Sequence, residues 1–140
     1  MTLKVVFITL LLAPVITYSE DLPKCNRDGT QLEINACAAD EFDKAERKLN
    51  EVYRALLKKE EKNVIFIQKL RAAQRAWLAF RDAELEAMYA CEEGSTCWGT
   101  ILPLCYADYK TKLTRERTQR LQQFLDKGHP ADNCYSERDR

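Results

Sequence analysis

Glu46 and Glu84 are the carboxylates of this 140-residue sequence that fall on or beside apolar helical stripes, and a facing pair of carboxylates is the equipment of glycoside hydrolysis. That chemistry needs a groove wide enough for sugar rings between the two groups. Here the same stripes also carry Arg81 and Arg117, so the carboxylates are set to meet cations rather than a substrate. Serine or cysteine nucleophiles would need a base, and the one histidine, His129, stands in a polar tail. No glycine-rich phosphate loop is present. The six cysteines, Cys25, Cys37, Cys91, Cys97, Cys105 and Cys134, lack the close pairs and accompanying histidines of a metal centre. The sequence therefore predicts no enzyme, no metal site and no cofactor.

The elements that must hold these side chains are helices. Phe66, Leu70, Ala73, Trp77, Phe80, Ala87 and Cys91 recur at spacings that trace one broad apolar face, with Glu84 at its centre and Gln74 and Arg81 at its edge. Ala38, Phe42, Ala45, Leu49, Val52 and Leu56 form a second stripe, flanked by Asn35 and Glu46 and opened by a Thr30/Glu33 capping box. Leu102, Tyr106, Tyr109, Leu113, Arg117, Leu121 and Phe124 form a third, started by Thr100 and Pro103 and stopped at Gly128. Alternating strand patterns are absent.

The fold expected is all-α, a three-helix antiparallel bundle with disulfides, its helices near 31–59, 64–91 and 101–126. Phe42, Leu49, Val52, Leu56, Leu70, Trp77, Phe80, Leu113 and Leu121 are its expected core. Polar groups set into apolar stripes need partners from neighbouring helices. Counting along the helices brings Glu46, Trp77 and Arg117 to similar heights, so Glu46 with Arg117 or Arg81 is the expected buried ion pair, with an architectural role.

Lys4, the apolar run from Val5 to Ile16 and the small-residue site ending at Ser19 read as a secretory signal over 1–19. The run is too short to span a bilayer. A single helical domain over 20–128 and a polar tail over 129–140 follow, and the expected location is periplasmic or secreted. With Lys+Arg and Asp+Glu both at 22, net charge gives no argument for nucleic acid or an anionic membrane as partner.

An even number of cysteines in a small exported chain reads as a disulfide framework. Cys25 with Cys37 and Cys91 with Cys97 would each close a short segment at a helix end. Cys105 with Cys134 is what remains, and it is strained: an unbroken third helix carries the chain ~33 Å away from Cys105, while the extended return spans only ~24 Å, so either the helix ends early or bends, or Cys134 has another partner.

Four ordered blocks carry a resemblance: Asn35-Ala36-Cys37-Ala38; Glu46 ahead of Leu49-Asn50 and Tyr53; Ala73-Gln74-Arg75-Ala76-Trp77-Leu78-Ala79-Phe80-Arg81-Asp82-Ala83; and Leu113-Thr114 with Arg117. Together they resemble the LprI-like lysozyme inhibitor family over about residues 25 to 125. The resemblance implies an exported, helical, disulfide-bonded protein whose partner is another protein, lysozyme in the family's named member. It brings no catalytic residues. A cysteine often follows the Arg-Asp-Ala block in this family, where Leu85 stands here, and Cys91 and Cys97 appear instead, so the pairing scheme is not carried over.

Inhibition of a muramidase by protein contact is the function expected. An envelope interaction or toxin-immunity module without lysozyme activity is the alternative. The expected contact surface is the loop 91–100, where Glu92, Glu93 and Trp98 lie in or beside a segment closed by cysteines. The competing role for Trp98 is to fold back over the open end of the bundle, with the acids merely solvated.

Overall fold

The computed structural model describes residues 23–92 and 94–128. The expected signal segment, Glu93, and the tail with His129 and Cys134 lie outside the described residues. Among the described residues three helices make the fold: α1 (Gln31–Lys59), α2 (Val64–Met88) and α3 (Leu102–Lys127), the last preceded by a 3₁₀ turn at Gly99–Ile101.

The ends of the helices follow local chemistry. Thr30 opens α1 with a full capping box: its hydroxyl accepts from the Glu33 amide, and the Glu33 carboxylate accepts from the Thr30 amide at 2.8 Å. Asn63 caps α2 through Oδ1, which accepts from the Phe66 amide at 3.1 Å, a signal hidden in the charged junction 58–63. Gly128 ends α3 with φ 78°, a conformation glycine adopts without a Cβ penalty.

Two expected boundaries shift. α2 stops at Met88 rather than Cys91, because the chain must leave the helix for Cys91 to bond Cys97, and Tyr89 turns to donate to the Cys105 carbonyl at 2.8 Å. Thr100 is not the cap of α3: it lies in the 3₁₀ turn, where its carbonyl accepts from Asn35 Nδ2 at 3.1 Å.

The connections reverse the chain twice, so α2 runs antiparallel to both neighbours and α1 and α3 run side by side in the same direction. Asn35 meets Thr100 at one end, and Lys59 Nζ donates to the Leu125 carbonyl at 2.6 Å at the other. The backbones of α1 and α3 approach most closely. Small side chains permit this: Ala38 and Ala45 on α1 and Thr111 and Thr114 on α3 are all buried. α2 stands further off, linked by long side chains.

Leu49, Val52, Leu56, Leu70 and Leu121 form the apolar core. Other core expectations need correction. Phe80 is 56% exposed, and Phe42, Trp77 and Leu113 are only half-buried. On α2 the buried positions are Leu70, Gln74, Arg81 and Leu85, whereas Ala73, Ala87 and Cys91 face solvent. The helix is thus rotated from the apolar stripe expected, with Gln74 and Arg81 on the inner face and Glu84 at its edge. Arg81 explains the rotation, since a guanidinium turned inward must find its partners, and they stand on α1 and α3.

Candidate functional site

Arg81 is the centre of a polar seam through all three helices. It is 6% exposed; its Nη1 donates to Glu46 Oε1 on α1 and lies 3.4 Å from Thr114 Oγ1 on α3, while its Nε donates to Asp82 at 3.0 Å. Of the two partners open to Glu46 in sequence, Arg81 is the one that meets it. Arg117 instead donates from Nε to Gln74 Oε1 at 3.0 Å.

Aromatic rings separate these cations. Lys110 Nζ sits 4.7 Å from the Phe42 centroid, the Arg81 guanidinium 5.8 Å from Phe42 and 5.1 Å from Trp77, and the Arg117 guanidinium 5.9 Å from Trp77. The succession Lys110, Phe42, Arg81, Trp77, Arg117 crosses from α3 through α1 and α2 and back to α3. Each such contact is worth ~0.5–2 kcal/mol, more where water is excluded. Phe42 and Lys110 had no polar signal in the sequence that would have placed them here.

Glu84 does not join Glu46. It accepts from the Tyr109 hydroxyl at 2.6 Å, and its Oε2 is buried with no hydrogen-bond partner among the described residues. That hydrogen bond, with some burial and the charge of Glu84, holds the Tyr109 phenol above its ordinary pKa. The two carboxylates are engaged separately, one by a cation and one by a phenol, so they do not form the acid and base of a glycosidase.

A second region is the end of the bundle where the two disulfides of the described residues lie. Cys25 is bonded to Cys37 and Cys91 to Cys97, and the Ser95 hydroxyl rests against both sulfurs of the second pair. Among the described residues no cysteine is bonded to Cys105, which is half-buried, and α3 runs unbroken beyond it to Lys127; its expected partner Cys134 lies outside them. Trp98 takes φ 70°, a left-handed conformation that costs a bulky residue energy unless its surroundings impose it. Its ring is 51% exposed and meets Tyr89 edge-on at 5.9 Å. Tyr89 in turn packs on Tyr106 and Tyr109 at 5.6 and 6.5 Å. Trp98 is therefore braced against the bundle on one edge and open to solvent on the other. Glu92, in the same loop, is exposed. Leu32, Met88 and Ile101 are exposed at the same end. Tyr89 and Ser95, which hold the loop, were not singled out by sequence pattern, because neither breaks a stripe or stands in a motif.

Fold and site define a small, disulfide-braced, all-helical protein with a polar seam in its core. The chain belongs to the LprI lysozyme inhibitor family: the family described as "Lysozyme inhibitor LprI" matches residues 23–121, most of its length. It is also 28% identical over 115 residues to a protein of Rhizobium meliloti (strain 1021) described as uncharacterized, covering 74% of this chain and 80% of that one. No solved structure matches. The family's blocks fall on the seam: Glu46 and Thr114 meet Arg81, Arg81 and Arg117 flank Trp77, and Arg117 meets Gln74.

Proposed function

We propose that this chain is an exported inhibitor of a lysozyme-type muramidase, acting by protein contact through the disulfide-pinned loop between α2 and α3. Family membership supports the activity. The observation that carries the surface is the half-exposed Trp98, fixed on Tyr89 beside the Cys91–Cys97 bond. An enzyme cleft is concave, and a loop closed by a disulfide that presents a half-exposed aromatic ring suits it. Such a loop loses little entropy on binding, and tryptophan is a common interface anchor. Glu92 and Glu93 would steer a cationic lysozyme toward it. Disulfides persist in oxidising compartments, which fits a periplasmic or secreted location for a chain with a signal over 1–19.

A cell-wall lysis assay with purified mature protein, with and without disulfide reduction, tests the activity. Trp98→Ala should weaken inhibition at least tenfold at unchanged thermal stability, and Glu92→Gln/Glu93→Gln should slow association, most at low salt. No inhibition by the folded, oxidised protein would refute the activity. Full inhibition by both variants would move the contact surface elsewhere on the bundle.

A further inference from the structure

The two inward arginines are not treated alike. Arg81 is neutralised by Glu46, with Asp82 at its Nε. Arg117 is half-buried, yet among the described residues no carboxylate lies within ion-pair distance of it or of Arg120, one turn further along α3. Burial and the neighbouring charge of Arg120 both pull the Arg117 pKa down. Glu116 lines the same space and its charge also helps raise the Tyr109 pKa, but it makes no ion pair with either arginine. A bundle seeking only stability would hardly place a second arginine against a partly desolvated one without supplying an anion.

The space beside them is shaped to receive one. Trp77, Phe80, Leu113, Glu116, Arg117 and Arg120 line a groove of about 100 Å³ between α2 and α3. At ~30 Å³ per water, this holds roughly three waters or one small ionic group. Its walls combine two guanidinium groups, one carboxylate, the Trp77 ring and the exposed Phe80 ring, so the two cations outnumber the single anion. Phe80 is large, apolar and half in water on a helix that buries Leu85 completely, so packing of the bundle does not account for it.

We propose that this groove is a carboxylate-binding site, taking a carboxylate carried on a short apolar or aromatic stem. Arg117 and Arg120 receive the charge, and guanidinium is suited to a carboxylate because its planar fork can donate two parallel bonds. The stem lies on Phe80 and the edge of Trp77. Gln74, itself buried, holds the Arg117 Nε and leaves the outer Nη groups for the ligand. The groove is on the flank of the bundle, ~12 Å along α2 from Met88 at the loop end, so this site and the loop contact stand or fall separately.

The test is a titration of the isotope-labelled full-length protein with phenylpropionate, following the indole N–H of Trp77 and the Nε–H of Arg117 by NMR. Saturable shifts at millimolar ligand, confined to residues around the groove, are expected. Phenylpropanol, which keeps the ring and loses the charge, should not saturate. Arg120→Gln, a surface change, should weaken binding about tenfold, the loss of one charge-assisted contact. Equal binding of the alcohol, shifts elsewhere, or undiminished binding in Arg120→Gln would overturn the proposal. An acetylated, amidated Glu-Phe dipeptide then distinguishes the sources: tighter binding than phenylpropionate identifies an acidic side chain of a protein partner, and weaker binding a free carboxylic acid.

Discussion

Arg81 shows what a single buried charge asks of a small fold. Its charge is met by Glu46, its flat faces by Phe42 and Trp77, and Thr114 stands within reach of the same Nη1. Removing one partner leaves the other uncompensated, which in a fully buried pair costs ~3–5 kcal/mol. Glu46 is 29% exposed, so water recovers part of the loss, and Glu46→Gln should cost about 2–3 kcal/mol in urea unfolding. The double change Glu46→Leu/Arg81→Met should restore most of that stability, because it removes both charges and keeps the volume. A single variant as stable as the parent would mean that the pair contributes nothing. At this scale the sequence was informative about need and less so about supply. Polar residues set into apolar stripes announced that Glu46, Gln74, Arg81 and Arg117 required partners. Which partner each found depended on side-chain reach across a gap that periodicity does not measure.

The helices differ in how well their pattern fixed them. α1 has one stripe and an unambiguous cap, and of its buried residues Cys37, Ala38, Ala45, Leu49, Val52 and Leu56 the pattern marked all but Cys37, while Phe42, which it also marked, is only half-buried. α2 has apolar residues on most of its circumference, so two overlapping stripes compete. Its rotation was settled by Arg81 and Gln74 turning inward, not by its largest apolar side chains. Leu85→Ala should therefore cost ~3 kcal/mol or more, since Leu85 is 0% exposed and leaves a cavity. Phe80→Ala should cost less than ~1 kcal/mol despite deleting a larger group. Reversed values in thermal or denaturant unfolding would restore the stripe expected from sequence. Thr111 and Thr114 carried no apolar signal, yet both are buried, because the close approach of α1 and α3 favours small side chains over large ones.

Across the whole molecule, the half of the bundle that bears the disulfides depends on phenols where the other half depends on leucines. Tyr89 and Tyr109 tie the end of α2 to α3, one through the Cys105 carbonyl and the other through Glu84. Both phenols are held above the ordinary tyrosine pKa, Tyr89 chiefly by burial and Tyr109 chiefly by its hydrogen bond to the Glu84 carboxylate. A raised pKa means that the folded chain keeps these protons at a pH where the unfolded chain has released them. Their contribution is therefore complete below the ordinary tyrosine value of about 10 and is lost as pH rises through the higher folded values. Thermal unfolding should show a stability that declines above pH 10, with the phenolate absorbance at 295 nm rising later in the native protein than in the unfolded one. Lysines also titrate in this range, so the comparison that isolates the phenols is Tyr89→Phe/Tyr109→Phe. The variant should be less stable at neutral pH, having lost two hydrogen bonds and left Glu84 without its donor, and its decline above pH 10 should be shallower than that of the parent. An identical alkaline slope would show that the phenols do not hold this end of the bundle through their protons.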